Sequence, residues 1–104
     1  MKKAKEYATE LEQNPSDQKL AEIARAFILE IREVAELRKC QQDSAFVAVL
    51  NGQREKWRAF YRLVSKTVPE LRVRADGFER MIQHELPEIY GAWTVHNPAV
   101  RVQD

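Results

Sequence analysis

Apolar residues recur along the chain at three- and four-residue steps rather than in alternation, which is the spacing of helices with one buried face. The strongest run is Leu20, Ile23, Ala24, Phe27, Ile28, Ile31, Val34, Ala35 and Leu37, with Glu22, Arg25, Glu30, Arg32, Glu33, Glu36 and Lys39 filling the other side. The stripe is wide, so this helix is expected to pack on two neighbours. Ahead of it, residues 3–13 carry Tyr7 and Leu11 four apart, with Ala4 and Ala8 completing a narrow stripe on a short helix. Asn14-Pro15-Ser16-Asp17 separates the two. Ser16 or Asn14 supplies the N-cap oxygen, and Pro15 suits a first helical turn.

A third run, Phe46, Val49, Leu50, Gln53, Trp57, Phe60, Tyr61 and Val64, keeps its register across Asn51-Gly52. In isolation that pair reads as a turn. The surviving periodicity instead predicts one helix, straight or kinked, from Ser44 to about Lys66. Val68-Pro69 closes it, because a residue before proline is pushed out of the helical basin. Residues 70–75 read as a linker. Asp76-Gly77-Phe78-Glu79 has the spacing of a capping box and opens a fourth helix, with Phe78, Met81, Ile82 and Leu86 on its buried side. Pro87 ends that helix or opens one more turn to Tyr90, closed by Gly91. Residues 92–104 hold Trp93, Val95, Val100 and Val102 around Asn97-Pro98, and read as extended. The prediction is an all-α protein: a single helical domain over residues 1–104, built as a small bundle of about four helices with an extended C-terminal arm (92–104).

Composition narrows the function. A chain of 104 residues is one domain's worth, and 44% hydrophobic with 32% charged residues excludes a disordered tail. Three glycines leave little for a phosphate-cradling loop. The longest apolar run, residues 45–50, is too short to cross a bilayer, so no membrane association is expected. The single cysteine, Cys40, excludes an intramolecular disulfide and a thiolate-rich zinc site. With an N-terminus that turns polar at once, it predicts a cytoplasmic protein.

The chemistry-bearing residues do not assemble into a catalytic pattern. Cys40 has only His84 and His96 to pair with, and reads as a half-buried thiol at a helix end. His84 and Glu88 are four apart with Pro87 between them, and two ligands are too few for a structural metal. Glu30, Glu33 and Glu36 step by three along one helix and, without a Glu-x-x-His partner, read as a solvated face. No catalytic residue, metal site or cofactor is expected, and the chain reads as non-enzymatic.

Charge supplies the one candidate surface. The net charge is only +1, yet residues 51–74 hold seven basic residues against two acidic. Arg54, Arg58, Arg62 and Lys66 are spaced by four, a cationic ridge on a helix whose like-charged neighbours repel by a few tenths of a kcal/mol each (about 0.2–0.5). Trp57 and Tyr61 each precede an arginine of the ridge, and Arg72 and Arg74 follow the turn. Arginine and aromatic rings are the residue types that dominate binding hot spots. These eight residues are the candidate partner-binding site. The plain alternative is a solvated basic face with Trp57, Phe60 and Tyr61 in the core; of the binding readings, a protein partner comes first. A nucleic acid held by the same cations is the alternative, against which the near-zero net charge weighs. The wide stripe of the second helix, and Gln53 as a polar position in an apolar seam, point further to a homo-oligomer. In its general style (short, charged, helical, without catalytic signature) the chain resembles small accessory proteins of phages and other mobile elements. That resemblance implies a protein that binds and blocks, or serves as a small assembly part.

Overall fold

A computed structural model describes residues 2–38 and 44–96. They form five helices: α1 (Ala4–Gln13), α2 (Asp17–Arg38), α3 (Ser44–Thr67), α4 (Gly77–Glu85) and α5 (Pro87–His96). The all-helical expectation holds. The C-terminal arm is corrected over residues 92–96, which continue a fifth helix instead of running extended. The rest of the arm, 97–104, and Cys40 lie outside the described residues.

Helix α3 is central and touches every other helix, with α1 lying along it most extensively. Six of its buried positions, Phe46, Leu50, Gln53, Trp57, Phe60 and Val64, belong to the periodic series read from the sequence; Val47, outside that series, is buried too, while Val49 and Tyr61 are half-buried. The buried apolar residues meet Tyr7 and Leu11 of α1 and Ile23, Phe27 and Ile31 of α2 in one core. Phe27 is the hub: its ring centroid lies 5.2 Å from Tyr7 and 5.2 Å, edge-on, from Trp57. A second aromatic group closes the other end, where Phe78 of α4 meets Trp93 of α5 edge-on at 5.4 Å. As expected of its wide stripe, α2 packs on several neighbours: α1, α3 and α4.

The caps show where local rules yield to tertiary contacts. Ser16 caps α2 as expected, its Oγ accepting the backbone N–H of Lys19 at 3.1 Å. The capping box foreseen at Asp76 does not form. Asp76 is drawn instead to Arg80 (2.8 Å) and Arg74 (3.2 Å), and Glu79 turns inward to Arg54 at 2.7 Å. An arginine brings a full positive charge to the carboxylate, which a backbone N–H does not, and each carboxylate here faces an arginine. Arg80 first, then Arg74, holds the Asp76 carboxyl below its ordinary range, against the opposing effect of burial.

The glycines divide by their surroundings. Asn51-Gly52 does not break α3; a Cβ at Gly52 would meet nothing within 4 Å, and Asn51 Oδ1 accepts the indole N–H of Trp93 at 3.0 Å. Gly91, inside α5, is equally open. At Gly77 a Cβ would stand 2.8 Å from Cζ2 of Trp57, a ring that is buried and tied by its N–H to the Arg74 carbonyl at 2.8 Å. Gly52→Ala and Gly91→Ala should therefore each raise stability by up to about 1 kcal/mol, while Gly77→Ala should cost about 1–3 kcal/mol. Urea midpoints of the three variants check this, and a neutral Gly77→Ala would mean that the indole is free to move.

Between α1, α2 and α3 lies a polar cluster inside the core. Glu30, read from sequence as part of a solvated strip, is only 8% exposed. Its carboxylate accepts the Tyr7 hydroxyl at 3.0 Å and the Lys56 ammonium at 2.8 Å. Burial first, and then the bond to Glu30, push the Tyr7 phenol well above its ordinary value of 10.0. The native state therefore retains a proton that the unfolded chain releases above that pH. The resulting stabilisation is complete below pH 10 and is lost as pH rises through the raised native value. Wild-type stability should accordingly fall more steeply above pH 10 than that of Tyr7→Phe. Parallel slopes in urea titrations across that range would contradict the burial of the phenol.

Candidate functional site

The candidate ridge is not one surface, and helix geometry explains why. Residues spaced by four advance about 40° around a helix at each step. A row that starts on the flank of α3 facing α4 therefore turns into solvent within two or three steps. Arg54, at the flank, donates from Nε to Glu79 Oε1 at 2.7 Å, and the Glu79 side chain is 5% exposed. Glu79 Oε2 is buried without a hydrogen-bond partner, so Arg54 supplies most of the compensation for this carboxylate. Arg58 is intermediate, with Nη2 at 3.9 Å from Glu79 and Nη1 at 3.6 Å from Glu55. Arg62 and Lys66 are exposed and, among the described residues, make no ion pair.

The flanking rings also part company. Trp57 is 4% exposed and belongs to the core. Its indole N–H bonds to Arg74 O and thereby anchors the connection between α3 and α4. Tyr61 is half-buried, beside Arg62. Beyond the turn, Arg72 is exposed without an ion pair among the described residues, and Arg74 is paired with Asp76. Of the eight candidate residues, Arg54 and Trp57 thus serve the fold, Arg58 and Arg74 are tethered to acids, and Tyr61, Arg62, Lys66 and Arg72 remain presented outward.

One member of this outward patch was passed over in the sequence. Leu63 is 43% exposed and lies next to Arg62 and one turn before Lys66. The signal was present: Leu63 falls outside the 57, 60, 64 series, on the face where polar residues belong.

A groove opens elsewhere, between α2 and the junction of α4 with α5. It encloses about 650 Å³ and is lined by Arg32, Ala35, Glu36, Glu85, Leu86, Pro87, Glu88 and Ile89. Ala35, Leu86 and Ile89 supply its apolar part, and three carboxylates stand against one guanidinium. A smaller hollow of about 410 Å³, sharing Arg32 and Glu85 with the groove, reaches Met81 and runs beside Leu29, which is 57% exposed. Gln53 is buried within the protomer at 5% exposure. Among the described residues, no group of three or more His, Cys, Asp or Glu side chains is placed to hold a metal ion, and no helix is long and apolar enough to cross a membrane. No protein-family model matches the chain, and neither does a curated protein or a solved structure.

Proposed function

We propose that the protein is a non-enzymatic helical interaction module that occupies an acidic surface of a protein partner, as a blocker or an assembly part. Its contact patch is Arg62, Leu63 and Lys66, with Tyr61, Arg58 and Arg72 at the margin. The observation that carries this reading is the contrast along α3. Arg54 and Arg58 are matched with carboxylates, whereas Arg62 and Lys66, one turn apart, repel each other and have no acid as partner among the described residues. An exposed leucine beside these two cations adds an apolar anchor. Hot spots combine a desolvated anchor with arginine in this way.

The experiment is affinity capture from cell extract with wild type and with Arg62→Glu/Lys66→Glu, each with and without nuclease. Both positions are exposed, so helix content and melting temperature should be unchanged. Capture of the protein partner should be lost in the variant and should survive nuclease in the wild type. Loss of capture on nuclease treatment would favour a nucleic-acid partner, and phosphate contacts would then weaken steeply as salt rises. Retention by the variant would remove the patch from the binding site.

A further inference from the structure

We infer that a second copy of this chain is one partner of the patch: Arg62, Leu63 and Lys66 of one copy seat in the groove between α2, α4 and α5 of another. The inference rests on reading that patch as a contact surface, and adds the complement found on the same molecule. The groove has an apolar part in Ala35, Leu86 and Ile89, and Glu36, Glu85 and Glu88 at its edge. None of these glutamates makes an ion pair among the described residues. The patch offers the complementary groups: the cations of Arg62 and Lys66, about 40° apart around α3, with the exposed Leu63 to one side of them. About 650 Å³ is more than one leucine side chain fills, which leaves space for the aliphatic stems of Arg62 and Lys66 to lie along the walls while their charged ends reach the carboxylates. Among the described residues Arg32 is the one cation lining the groove, against three glutamates.

The cations of the patch and the glutamates of the groove make no ion pair among the described residues, while Ala35 and Ile89, which line the groove, belong also to the core. The contact is between two different surfaces, so each protomer offers both a donor and an acceptor side, and association closes into a ring or continues as a chain. Complementary charges set its register and make it weaken as salt screens them.

The test is sedimentation equilibrium of the full chain at low and high salt, for wild type, Arg62→Glu/Lys66→Glu, Glu36→Lys/Glu85→Lys and an equimolar mixture of the two variants. The wild type should gain mass with concentration at low salt and lose it at high salt. Each variant alone should associate at least about tenfold more weakly. The mixture should recover association, because each variant keeps the surface that complements its partner's. Should either reversal disturb folding by circular dichroism, Arg62→Gln/Lys66→Gln and Glu36→Gln/Glu85→Gln replace them and should each weaken association. A wild type that stays monomeric to about 1 mM at low salt, about the weakest association such contacts give, overturns the inference. So does a mixture no more associated than its components. The patch reading fails separately, when Arg62→Glu/Lys66→Glu still captures its partner from extract. It survives a negative result here if that variant loses capture while Glu36→Lys/Glu85→Lys keeps it.

Discussion

Replacing Lys56 by methionine should lower the unfolding free energy by about 3 kcal/mol, although the side chain sits near the rim of the core and methionine fills much the same space. The cost comes from Glu30. Its carboxylate is held by two groups, the Lys56 ammonium at 2.8 Å and the Tyr7 hydroxyl at 3.0 Å. Without Lys56 a charge remains in a site only 8% exposed, with one neutral donor left to it. The lysine also stands over two rings, 5.3 Å from the Tyr7 centroid and 5.1 Å from that of Phe27, and those contacts go with it. The cluster joins α1, α2 and α3, so the loss falls on the packing of all three. Removing the whole cluster should be far milder: Tyr7→Phe/Glu30→Leu/Lys56→Met should return to within about 1 kcal/mol of wild type, because no polar group is then left buried alone. Urea unfolding of the two variants decides. A single variant that costs less than the triple would show that the carboxylate is already solvated.

The other large effect is expected at Trp93. Its side chain is fully buried, packs edge-on against Phe78, and donates its indole N–H to Asn51 at 3.0 Å. Trp93→Ala should cost about 3–5 kcal/mol, the range for removing a large aromatic from a core. It should also release α5, where Ile89 is the other buried side chain among the described residues. Amide exchange should therefore rise across residues 87–96 well beyond the change at α2, whose core lies at the other aromatic group. A loss of stability without selective exposure of α5 would mean that this helix is held by contacts other than the tryptophan.

These two sites mark where the sequence was readable and where it was not. Helices α2 and α3 were legible because their apolar residues keep a helical period over about six turns, enough to override a turn-like Asn51-Gly52. Helix α5 was not. Ile89, Tyr90, Ala92, Trp93 and Val95 do not gather on one stripe, and Gly91 sits in their midst. Its helix is held by the indole reaching Phe78 and Asn51, contacts 15 and 42 residues away along the chain. Glu30 failed for the same reason, since Glu33 and Glu36 are exposed and its partners, Tyr7 and Lys56, lie 23 and 26 residues away along the chain. The cationic row was visible as a spacing. How it divides was not, because Glu79 looked like a helix cap until α4 placed it against Arg54.

The central claim is this division of labour along α3, and one paired comparison tests it most directly: the melting temperature and partner capture of Arg54→Gln beside those of Arg62→Glu/Lys66→Glu. Arg54→Gln removes the cation that compensates the buried Glu79 carboxylate. It should melt several degrees lower, about 4–8 °C for each kcal/mol lost, and still capture the partner. The double variant should melt with the wild type and capture nothing. A double variant that melts lower and still binds, beside an Arg54→Gln that is stable and fails to bind, would contradict the account.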